Sequence, residues 1–102
     1  MSKPRVRWWG FVRNILYSYP SISRAKSPSE EDRRECDAVE AASRETAELP
    51  DGAERMELIR LVFFTRSCTL EGAALRLHLS YTTARRKQSE FLRCVGKHLG
   101  LR

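Results

Sequence analysis

Apolar residues recur along this chain at helical spacing, and no stretch alternates as a half-buried strand would. Trp8, Phe11, Val12, Ile15, Leu16 and Tyr19 fall at i, i+3, i+4, i+7, i+8 and i+11, one stripe along a helix. Pro20 is expected to end that helix, because the residue before a proline is pushed out of the helical region. Residues 21–26 read as a polar connector. Ser27 and Pro28 then have the form of an N-cap followed by proline at the first helical position, with Glu30 as the capping-box acid. They predict a second helix over about 28–48, with the acids Glu30, Glu31 and Asp32 at the positive end of its dipole. Its apolar residues are few (Cys36, Val39, Ala42, Leu49), so its packing partner is the least defined in the chain.

Pro50-Asp51-Gly52 breaks the pattern, and Asp51 with Glu54 three residues on reads as a second capping box. The helix it opens, about 52–66, carries Met56, Leu58, Ile59, Leu61, Val62, Phe63 and Phe64. Apolar residues nearly all round its second half mark it as the central core element. Thr69 caps a short helix holding Leu70, Ala73, Ala74 and Leu77; His78-Leu79 is a tight break. Ser80 caps a last helix reaching about Leu99, stopped at Gly100, whose inward side is Ala84, Phe91, Leu92, Val95 and Leu99. The expected fold is all-α: a small bundle of about five helices with a C-terminal helix-turn-helix. Its segments are a basic aromatic helix and connector (1–26), an acidic helix (27–50), and the core helix with the helix-turn-helix (51–102), packed as one domain.

Charge changes this picture by its distribution. The 102 residues carry a net +6, made up of +6 over 1–26, −7 over 27–57 and +7 over 58–102. A basic excess favours nucleic acid or another anionic partner. Only the last third places that charge in an architecture able to aim it at a groove. There Ala74, with Ala73 beside it, lets the second helix cross closely; Leu79 is the apolar plug of the turn, Leu77 packs just before it, and Ala84 faces back into the crossing. His78 stands where a left-handed backbone commonly takes glycine, a conformation histidine tolerates. Lys87 departs from the plan, since an aliphatic residue is expected there, and a rotated helix would give that contact to Gln88 and Phe91.

With Ala84 inward, Tyr81, Thr82, Arg85, Arg86 and Ser89 face out. Arg85 and Thr82 are the candidates for base edges, and Arg86, Lys87 and Tyr81 for the backbone. Thr69, at the start of the first helix, is a candidate for a phosphate. Ser80 and Thr83 complete the candidate DNA-binding set at the start of the second helix.

The run Thr69-Leu70-Glu71-Gly72-Ala73-Ala74 followed by His78-Leu79-Ser80-Tyr81-Thr82-Thr83-Ala84-Arg85-Arg86 resembles the region-4-type helix-turn-helix of sigma factors. More closely, it is similar to the RinA/ArpU-like phage and prophage transcriptional regulators, which tend to share an aromatic within the last helix, here Phe91, and an ending like Leu99-Gly100-Leu101. The opening Arg7-Trp8-Trp9-Gly10-Phe11-Val12 with Tyr19-Pro20 resembles prophage-encoded members more weakly. The resemblance covers about residues 53–101 and, faintly, 6–20; His78 and Lys87 are its departures. It implies a sequence-specific double-stranded DNA-binding regulator, an activator of late phage genes, working in the bacterial or phage-infected cytoplasm. Binding as a homodimer over paired half-sites is expected.

Two other classes compete. A protein-binding adaptor, such as an anti-repressor or an RNA polymerase-docking factor, would use Trp9 and Tyr17, which lie off the first stripe, together with the acidic helix. A DNA-packaging recognition subunit would assemble into a ring. An enzyme is not expected, for the chain has no Gly-rich phosphate loop, no clustered carboxylate pair on a shared face and no Cys/His pair with a credible third partner, and no cofactor is implied. The odd, dispersed cysteines Cys36, Cys68 and Cys94 fit a reducing compartment. Cys94 and His98 share a helix face, with Cys68 and His78 as conceivable further ligands, but structural zinc sites show two tight ligand pairs and only one is present, so no metal is expected. Residues 6–19 follow basic residues like a signal peptide, yet Arg13 and Asn14 interrupt them and no cleavage site follows. No apolar run approaches the roughly 18 residues a membrane span needs, and a membrane-surface role for the first helix would take the most apolar element from the core.

Overall fold

A computed structural model of the chain describes residues 8–101. It contains helices α1 (Trp9–Ser23), α2 (Glu30–Ala47), α3 (Gly52–Ile59), α4 (Leu70–Arg76) and α5 (Tyr81–His98), and no strand among the described residues. The all-α bundle is the architecture the apolar spacing predicts. Lys3, Arg5 and Arg7, part of the N-terminal positive charge, lie outside the described residues.

In α1 the stripe buries Val12, Ile15 and Leu16, while Trp8 and Tyr19 are half-buried. Phe11 breaks the expectation: it is 46% exposed, whereas Trp9 and Tyr17 pack against the core edge. Tyr17 lies 5.2 Å from the Phe63 ring and Tyr19 lies 5.3 Å from Phe64. Pro20 does not end the helix either. A proline inside a helix removes one amide donor, here the one facing the Leu16 carbonyl, and α1 accepts that loss and continues to Ser23. The last turn is closed by the Ser23 hydroxyl donating to the Pro20 carbonyl (3.1 Å) and the Arg24 amide to Ser21 (3.2 Å).

The cap of α2 is Ser29, not Ser27. The Ser29 hydroxyl accepts from the Asp32 amide at 3.0 Å, and the Asp32 carboxylate accepts from the Ser29 amide at 3.4 Å, a complete capping box two residues later than expected. This sparsely apolar helix packs against α5, α1 and α3. Ala38, Val39, Ala42 and Thr46 form its buried side, and such small residues let neighbouring helices approach closely. Leu49, counted on its apolar side, lies beyond the helix and is 43% exposed.

Gly52 opens α3 in contact with the end of α2: a Cβ there would lie 2.3 Å from the Ala47 carbonyl oxygen, so only glycine fits. Asp51 precedes the helix but makes no side-chain cap, because its carboxylate is engaged elsewhere. The helix continues into a π-helical turn, Arg60–Phe64, with the Thr65 amide bonded to the Arg60 carbonyl at 2.9 Å. It therefore ends before Arg66, which adopts a left-handed φ of 52°. Leu58, Ile59, Leu61, Val62 and Phe63 are all buried there. Burying each such side chain contributes roughly 1.5–3 kcal/mol, which makes α3 and its π turn the centre of the core. Phe91, Leu92, Val95 and Leu99 of α5 close the core from the other side.

Candidate nucleic-acid interface

The helix-turn-helix segment begins at Thr69, whose hydroxyl accepts from the Gly72 amide at 3.1 Å and caps α4. Ala73 and Ala74 are buried, as is Ala84 of α5 opposite, so the crossing is made by methyl groups as its steric demand requires. In the turn the Leu79 amide donates to the Ala74 carbonyl at 2.8 Å. His78 has φ 58°, the left-handed conformation expected of it, and Leu79 is half-buried as the plug. Ser80 caps α5, accepting from the Thr83 amide at 3.1 Å, and its hydroxyl also bonds the Thr83 hydroxyl at 2.9 Å. Gly100 ends the segment with φ 77°.

Among the nine candidate residues, this geometry separates three roles. Tyr81, Thr82, Arg85 and Arg86 are exposed and share one side of the first turns of α5, with half-buried Ser89 at its edge. Among the described residues neither Arg85 nor Arg86 has a carboxylate partner. Thr69 and Ser80 accept at the caps of their helices, and the Thr83 hydroxyl bonds that of Ser80, so all three fix the backbone at the two helix starts.

Lys87 requires a correction. It was expected to reach out to a phosphate backbone; its side chain is 8% exposed and turned into the bundle. The ammonium pairs with Asp51 and lies 3.3 Å from Glu54. Asp51 is also held by Arg55 at 2.8 Å, and Arg55 pairs in turn with Glu90. The hydrogen bond from Lys87, then that from Arg55, holds the Asp51 carboxyl down at about 2. Gln88 is buried beside Lys87, which keeps its own inward place without a rotation of the helix, and the Gln88 carbonyl oxygen has no partner among the described residues.

Two cations not singled out as candidates in the sequence lie near Thr69. Arg13 of α1 and Arg66 line the same open groove as Thr69, of about 490 Å³, which reaches α5 at Gln88. The Arg66 guanidinium stacks 4.5 Å over the Tyr17 ring, which fixes it beside the groove. Their signal in the sequence is charge alone, and it gains direction only when α1 lies against the π turn. Leu75, on the outer side of α4, is 77% exposed. No helix among the described residues is long and apolar enough to cross a membrane.

The chain matches no protein-family profile, no curated protein and no solved structure.

Proposed function

We propose that the chain is a sequence-specific double-stranded DNA-binding transcription regulator, with α5 as the helix that enters the major groove. The observation that carries this reading is the capped start of α5, which presents Tyr81, Thr82, Arg85 and Arg86 together, exposed and without carboxylate partners among the described residues. Unpaired arginines on one side of a helix are suited to bidentate contact with guanine edges, each worth about 1–3 kcal/mol of discrimination. Tyr81, Thr82 and Ser89 supply hydroxyls for phosphates or bases, and Arg13 and Arg66 supply charge to the flanking backbone. The resemblance to small phage regulators supports a role at late-gene promoters, with RNA polymerase as a second partner.

Trp9 and Tyr17, which the adaptor reading would use, are half-buried against the core edge, while most acids of α2 stay exposed. Selection of bound sites from a random duplex pool, followed by a salt titration on the winner, tests the proposal. A steep fall in affinity with salt is expected, from release of the cations that several phosphates had condensed. A palindromic winner identifies a homodimer on paired half-sites. Absence of any selected site, or a flat salt response, overturns the proposal; capture of RNA polymerase without DNA then identifies the adaptor.

A further inference from the structure

At the end of α5 remote from Arg85 and Arg86, three donors of different chemistry meet. Cys94 and His98 stand one turn apart on α5, and Glu45 comes to them from α2. Their ligand atoms all lie within 4.8 Å of one another, and no other such group of three occurs among the described residues. Cys68 and His78 take no part: Cys68 accepts from Arg76 at 3.8 Å, and His78 is in the helix-turn-helix turn.

We infer that Glu45, Cys94 and His98 form a zinc site that clamps α2 to the last turns of α5, with a solvent molecule as the fourth ligand. The donor set is the borderline mixture zinc takes: a thiolate, an imidazole and a carboxylate. Tetrahedral zinc, with Zn–S near 2.3 Å and Zn–O near 2.0–2.2 Å, sets sulfur and oxygen ligands about 3.6 Å apart. The Cys94 Sγ to Glu45 Oε1 distance is 3.6 Å. His98 Nε2 is hydrogen-bonded to Glu45 Oε2 and needs only to part from it for an ion to enter. Lys97, whose ammonium is 3.7 Å from Glu45, is 72% exposed at its side chain and free to swing into solvent. Binding releases the Cys94 thiol proton to solvent, while His98 coordinates as neutral imidazole and Glu45 as carboxylate.

The test uses the full chain, stripped with chelator and titrated with cobalt and then with zinc. One cobalt ion per chain is expected, with the near-ultraviolet thiolate-to-cobalt band and the visible bands of a tetrahedral ion, both displaced by zinc. Cys94→Ser should abolish the thiolate band, and His98→Gln and Glu45→Gln should abolish binding at equimolar metal. The double variant Cys36→Ser/Cys68→Ser should keep the wild-type spectrum. Zinc should raise the thermal midpoint of the wild type and leave Glu45→Gln, a change at an exposed residue, unmoved. A thiolate band that survives Cys94→Ser, half an ion per chain, or no band and no thermal response to zinc in the wild type overturns the site.

Discussion

Arg85, Arg86 and Lys87 are three consecutive cations on one helix, and two surfaces divide them. The first two stand on the outer side of α5 among Tyr81 and Thr82, exposed and without carboxylate partners among the described residues. The third enters the inner seam with α3, where Asp51, Glu54, Arg55 and Glu90 surround it with alternating charge. A helix turns about 100° per residue, so adjacent residues cannot all share one side. Charge in the seam holds helices together; charge on the outer side remains available to an external anion. A basic run by itself does not state which purpose each of its members serves.

The largest expected effect lies at the seam's boundary. Gly52→Ala should lower stability by about 3 kcal/mol, by analogy with overpacked sites, because the added methyl meets backbone of α2 and not a flexible side chain. Chemical denaturation checks it, and a loss under 1 kcal/mol, roughly the ordinary surface substitution scale, would show that α2 and α3 are less tightly joined. Next is the outer side. Arg85→Ala/Arg86→Ala should weaken binding to the selected duplex about a hundredfold, on the scale of two lost arginine contacts, with an unchanged thermal midpoint. Equal binding by this variant would remove the outer side as the interface.

Lys87→Met should do the reverse: DNA affinity within about twofold of wild type, since no phosphate contact is lost, and a lower thermal midpoint. A loss of DNA affinity as large as that of the double arginine variant would collapse the distinction between the surfaces. The smallest effect is a pH dependence. Asp51 titrates at about 2 in the folded chain against an ordinary 3.8, so its contribution is complete above 3.8 and is lost as pH falls through about 2. Glu45 and Glu57, lowered chiefly by hydrogen bonds to His98 and Arg60, act in the same direction in both proteins. The difference between the wild-type and Lys87→Met melting curves over that acid range therefore reports the two carboxylates Lys87 faces, Asp51 and Glu54, and should shrink as the pH falls. A constant difference would mean that Lys87 does not set the Asp51 titration.

Much of the candidate surface was legible because it depends on local rules. Thr69 and Ser80 announce caps by type and position, His78 marks the left-handed turn, and Ala73, Ala74 and Ala84 mark the close crossing. What was not legible has a common cause in partners distant along the chain. Arg13 and Arg66 join the groove only through the packing of α1 on the π turn, and Glu45 reaches Cys94 and His98 only through the packing of α2 on α5. Lys87 announced itself as an anomaly, but Asp51, the acid that receives it, lies 36 residues away.

By itself the sequence determined the all-helical architecture, the central place of residues 58–63, the capped turn and the apolar inward residues of α5. Each of these follows from periodicity or from hydrogen bonds spanning a few residues, which hold wherever the segment packs. Tertiary structure carried α1 past Pro20 and exposed Phe11 while half-covering Trp9 and Tyr17, and the cap of α2 fell at Ser29 where Ser27 was expected. Those choices turn on local differences of roughly 1 kcal/mol for a cap and about 3 kcal/mol for a proline inside a helix. The burial of whole helix faces outweighs such differences, and only the assembled bundle specifies which faces meet.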